Sequence, residues 1–113
     1  DGGYGKHFKA IGEKFGGFDL ALMENGQYNL RWHAIHMLPE ETVQATLDIR
    51  ARQLITSHNG KFALAMHSWQ EPYLAITELG RDKPYERLTP MIGEKVLIGQ
   101  SGQHFEHWWE KME

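Results

Sequence analysis

Gln53-Leu54-Ile55-Thr56-Ser57-His58-Asn59-Gly60-Lys61-Phe62-Ala63-Leu64-Ala65-Met66-His67-Ser68-Trp69 is the stretch on which the reading of this chain turns. Leu54, Ile55 and Thr56 read as a short buried strand, and Ser57-His58-Asn59-Gly60 is polar and turn-forming. The pattern predicts a short buried strand that hands the chain to a loop at His58. Open α/β sheets place their ligands outside the carboxyl ends of the strands. An imidazole there can bind a metal ion or move a proton near neutral pH. The residue types alone equally allow a structural role, in which His58 caps the strand or satisfies a loop backbone group.

Working outward, Pro39-Glu40-Glu41 starts a helix, with proline in the first turn and carboxylates at the positive end of the helix dipole. Val43, Leu47, the stem of Arg50 and Leu54 keep one face, with Ala45, Ile49 and Ala51 beside it, which predicts a helix over 39–52 delivering the chain into the strand at Leu54. The same helix-to-strand step occurs earlier. Phe8, Ile11 and Phe15 are spaced i, i+3, i+7 over 6–15, and Gly16-Gly17 stops that helix. Phe18-Asp19-Leu20-Ala21-Leu22-Met23 then reads as a buried parallel strand ended by Glu24-Asn25-Gly26. Residues 27–38 have no clean period and are rich in Tyr, Trp, Arg and His, the composition of a loop that lines a site. Downstream, Glu71-Pro72 opens a helix through about Leu79, with Tyr73 and Ile76 inward and Gly80 as its stop. The charged residues 81–87 read as an exposed loop, 95–98 as a short strand, and 103–113 as a terminal helix docking Phe105, Trp108, Trp109 and Met112.

A chain of 113 residues suits one domain with a single core. With 41% hydrophobic and 24% charged residues the composition is globular rather than disordered. A net charge of −3 and a pI near 6.2 supply no basic footprint, so nucleic acid is disfavoured as a partner. Without cysteine, any metal must be held by imidazole and carboxylate, and the compartment stays open, with the cytoplasm as the default. No apolar run approaches the roughly 18 residues of a membrane span. The opening Asp1-Gly2-Gly3-Tyr4-Gly5 is a glycine-rich turn of the kind that connects two elements, and the expectation is a piece of something longer with a strand just upstream.

Asp1-Gly2-Gly3-Tyr4-Gly5, His7-Phe8, Ile11-Gly12-Glu13, Phe15-Gly16-Gly17-Phe18-Asp19-Leu20-Ala21, Arg31-Trp32, His36-Met37, Pro39-Glu40-Glu41, His58-Asn59-Gly60-Lys61-Phe62 and His67-Ser68-Trp69-Gln70-Glu71-Pro72 follow one another in an order and spacing that resembles the C-terminal half of the metallo-β-lactamase-fold hydrolases. The branch that they resemble includes the N-acyl-phosphatidylethanolamine-hydrolysing phospholipase D. The match covers residues 1–72. It implies an α/β fold, the C-terminal half of an αββα sandwich, with residues 1–113 as a single partial domain. It also implies a dinuclear metal site, usually zinc, in which Asp1 looks like the carboxylate bridging the two ions, His58 like the last histidine ligand, and His36 like the active-site histidine near a scissile phosphate.

The family's main cluster, His-x-His-x-Asp-His, is absent from these 113 residues, and where most relatives have Trp-Gly-Thr after the last histidine this chain has Asn59-Gly60-Lys61. The pairs His33/His36 and His104/His107 have no further ligands close by in sequence. With three protein ligands usual per catalytic zinc, two leave the site incomplete. The expectation is therefore a C-terminal portion of a metal-dependent hydrolase, most simply a phosphodiesterase with a small-molecule or lipid substrate, inactive as the isolated chain. The alternative is a non-catalytic half-domain that acts as an interaction module. Half a sandwich exposes the face its other half would cover, here Leu20, Leu22, Ile55 and Leu64. The partner that follows is the missing N-terminal half or a second copy of this chain.

Overall fold

The two apolar runs lie side by side in the computed structural model, which describes residues 1–112. Strand β1 (Ala21–Glu24) pairs parallel with β2 (Gln53–Ser57), in the register Ala21 to Leu54 through Glu24 to Ser57, and β2 pairs parallel with β3 (Glu86–Arg87), giving the order β1-β2-β3. Helix α1 (His7–Phe15) precedes β1, α2 (Pro39–Asp48) connects β1 to β2, and α3 (Glu71–Leu79) leads toward β3. Parallel neighbours need such crossovers. The result is a mixed α/β unit of the kind expected for part of a metallo-β-lactamase-type domain.

Leu54, Ala45 and Ile76 are at most 1% exposed, and with Val43, Met23 and Ile49 they form the core between the sheet and helices α2 and α3. Burial of this apolar face is the main source of stability. Period-two alternation sends Leu22, the register partner of Ile55, to the opposite face, where it is 68% exposed. Of the four residues expected on the open face of half a sandwich, Leu22 is exposed on the sheet, Leu64 is exposed in the loop after β2, and Leu20 and Ile55 are half-buried. Helices α1 and α2 approach so closely at Gly12 that a Cβ there would lie 2.1 Å from the Asp48 carbonyl oxygen.

Several predicted bounds shift. Helix α2 ends at Asp48 rather than 52, because the chain turns at Arg50 (φ 60) so that Phe18 and Ala51 can bridge ahead of the strands. Phe15, predicted inward, is 62% exposed beside the stop at Gly16. Residues 95–98 are not a strand. The third strand is instead Glu86–Arg87 within the charged stretch, because its neighbours Tyr85 and Leu88 are buried and pull it onto β2. The tail forms only a 3-10 turn (Trp108–Lys111), with Glu113 outside the described residues. Its aromatic docking is present: Trp109 is 1% exposed and stacks on Tyr73 with ring centroids 4.8 Å apart. Among the described residues no helix is long and apolar enough to cross a membrane.

Candidate metal centre

The parallel register ends β1 at Glu24 and β2 at Ser57 side by side, so the loops that follow leave from one sheet edge. Asn25 N–H donates to the Ser57 carbonyl at 2.9 Å, and the Asn59 amide donates to the Asn25 carbonyl at 3.1 Å and to Thr56 Oγ1 at 2.9 Å. Gly26 is required at this crossing, since a Cβ on it would lie 2.1 Å from the His58 carbonyl oxygen. His58 and Gln27 both have left-handed backbones, with φ of 69° and 58°. Such conformations cost energy outside glycine and persist where surrounding contacts hold them. Gln27 supplies some of those contacts: its amide donates to the Phe62 carbonyl at 2.6 Å and accepts from Leu64 N–H at 2.8 Å and Ala65 N–H at 3.0 Å.

Asp1 reaches the same edge because Gly2 bridges His36 and the chain passes close at Gly3, where a Cβ would lie 2.4 Å from the Ala34 carbonyl oxygen. Asp1, Glu24, His36 and His58 each offer a ligand-type atom, and these atoms lie within 4.8 Å of one another. His58 Nε2 is 2.9 Å from Asp1 Oδ1, and His36 Nδ1 is 3.0 Å from Glu24 Oε2 and 3.6 Å from Asp1 Oδ1. His36 and Glu24 are largely buried, whereas Asp1 and His58 face outward. An open cleft of about 220 Å³ adjoins His58, lined by Gln27, Asn59, Lys61, Phe62 and Leu64.

The three residues singled out in the sequence, Asp1, His36 and His58, are therefore brought together. Sequence reading missed Glu24, taken there as part of a turn. The available signal was a carboxylate closing an apolar strand beside the strand that ends at His58. The remaining histidines stay out of the cluster: His67 stacks on Tyr28 with centroids 4.3 Å apart, and His107 stacks on Trp109 at 4.7 Å.

A parallel α/β edge that gathers imidazole and carboxylate without thiolate defines a protein with a potential centre for a divalent cation. The chain belongs to the beta-lactamase superfamily domain family, whose model matches residues 1–59. It is 59% identical over 61 residues to the outer membrane protein RomA of Klebsiella pneumoniae, an alignment covering 54% of this chain and 46% of that protein. It is 38% identical over 113 residues to an uncharacterised protein of Mycobacterium tuberculosis, covering 96% of this chain and 30% of the other. It is 39% identical over 75 residues to N-acyl-phosphatidylethanolamine-hydrolyzing phospholipase D 1 of Caenorhabditis elegans, covering 64% and 21%. The chain thus spans less than half the length of these curated relatives.

Proposed function

We propose that this chain supplies part of the metal centre and the substrate-facing histidine of a metal-dependent phosphodiester hydrolase. The observation that carries the proposal is the convergence of Asp1, His36 and His58 at the carboxyl edge of the sheet, in a member of this superfamily. The similarity to a phospholipase D supports the substrate class. Zinc fits the donor set. Two ligands bound at about 2.0–2.2 Å can be at most about 4.3 Å apart, and Asp1 Oδ1 and His58 Nε2, 2.9 Å apart, fall inside that limit. Asp1 and His58 are the ligands in this reading. A pair of bound divalent ions supplies a water of lowered pKa and a clamp on a phosphoryl oxygen.

This chain's own residues do the rest. Asp1 presents two oxygens, which lets one carboxylate serve two ions. His58 is aimed by its left-handed backbone and by the Asn59 and Gln27 contacts on either side of its loop. His36, beside the edge of Trp32, has one ring nitrogen at Glu24 and keeps the other for the substrate, as a hydrogen-bond or proton-transfer partner. Three protein ligands are usual per catalytic zinc, so the missing N-terminal half or a second copy of this chain completes the centre, and the 113-residue chain alone is inactive.

The test is turnover of bis(p-nitrophenyl) phosphate and of an N-acyl-phosphatidylethanolamine by the intact protein, before and after chelation. Expected are chelator-sensitive activity and a roughly 100-fold or larger loss in His36→Ala at unchanged metal content. Activity that survives chelation, or an unaffected His36→Ala, overturns the proposal. The exposed Leu22 and Leu64 favour the second reading, an interaction module. That reading requires dimers of the chain at micromolar concentration in sedimentation, and a monomer counts against it.

A further inference from the structure

We propose that Glu24 is a positioning residue that fixes the ring tautomer of His36. The inference rests on the reading of His36 as the substrate-facing histidine. Glu24 is held at both ends. Met37 N–H donates to its Oε1 at 2.7 Å, and Thr42 Oγ1 donates to its backbone carbonyl at 2.8 Å. That leaves Oε2, 3.0 Å from His36 Nδ1, as the oxygen that meets the ring. The two side chains are 6% and 12% exposed, so water competes little for either. The same oxygen is 3.9 Å from His58 Nδ1, beyond hydrogen-bond range.

A carboxylate only accepts, so the proton of the neutral imidazole resides on Nδ1 and Nε2 carries the lone pair. His36 is thereby set as a proton or hydrogen-bond acceptor toward whatever meets Nε2. Carboxylates that orient histidines in this way are regular partners of metal sites. With both oxygens engaged by donors, Glu24 acts through His36 rather than as a ligand.

Glu24→Gln separates these roles. Met37 N–H still needs an acceptor, so the amide oxygen stays there and the NH2 group turns to His36 Nδ1. The ring must then accept at Nδ1 and carry its proton on Nε2. Long-range proton–nitrogen correlation spectra of the metal-free protein labelled with 15N-histidine, at a pH where the ring is neutral, read the tautomer directly. Expected are Nδ1–H in the unmutated protein and Nε2–H in Glu24→Gln. The variant should also retain its zinc stoichiometry and lose about 10–100-fold in kcat at similar KM. An Nε2–H tautomer in the unmutated protein, or loss of a bound zinc in the variant, overturns the inference. If Glu24→Gln fails to fold, the unmutated spectrum decides alone. Absence of phosphodiester turnover sinks the proposed activity instead, and leaves the tautomer result standing.

Discussion

Replacing Gln27 should destabilise the protein in an unusual order, with glycine tolerated better than alanine. The residue is only 8% exposed, and three short hydrogen bonds tie its side chain to the loop that follows His58. At about 1 kcal/mol net for each bond, Gln27→Ala should cost about 3 kcal/mol, a large part of a typical domain's 5–15 kcal/mol. The backbone sits at φ 58, where a residue with a Cβ costs about 1 kcal/mol or more. Gln27→Gly loses the same bonds but relieves that strain, so it should be more stable than Gln27→Ala by about 1 kcal/mol. Urea unfolding by circular dichroism reads both. With a slope of about 1–3 kcal/mol per molar, the alanine midpoint should fall by roughly 1–3 M. An alanine variant within 0.5 kcal/mol of the unmutated protein, or glycine below alanine, would refute the reasoning.

Two further outcomes follow from the same geometry. Gly26→Ala forces the His58 carbonyl aside, because the new Cβ would lie 2.1 Å from it; a stability loss of about 1–3 kcal/mol with weaker zinc binding is expected, and undiminished binding in calorimetry would contradict it. Tyr28, Tyr73 and Tyr85 all have raised pKa values through burial, reinforced at Tyr28 by the Glu71 charge. The folded state keeps these protons where the unfolded chain has begun to lose them, so stability is intact below about pH 10 and falls above it, by up to about 1.4 kcal/mol per pH unit for each tyrosine. Unfolding midpoints measured from pH 8 to 11 check this, and a flat profile would count against it.

Much of this was legible in the sequence. The buried strand before His58, the proline-started helix at Pro39 and the glycine stop at Gly16 are local signals, and local signals survive folding. The gathering of Asp1, His36 and His58 was readable only through resemblance, since 56 residues of chain lie between the first and the last. Glu24 was hidden because its role arises from the β1–β2 register, which no local pattern encodes. Strand β3 was hidden for a related reason: Glu86 and Arg87 are polar, and only the burial of Tyr85 and Leu88 against the core draws them onto β2. Conversely, Val96, Leu97 and Ile98 have strand-like composition but pair with no strand, and Leu97 and Ile98 remain exposed.

The most direct measurement is the zinc content of the intact protein and of three variants, by calorimetric titration with metal analysis. Expected is tight zinc binding that falls in Asp1→Ala and in His58→Ala and is unchanged in His36→Ala. Zinc binding indifferent to both Asp1 and His58 would contradict their assignment to the metal centre.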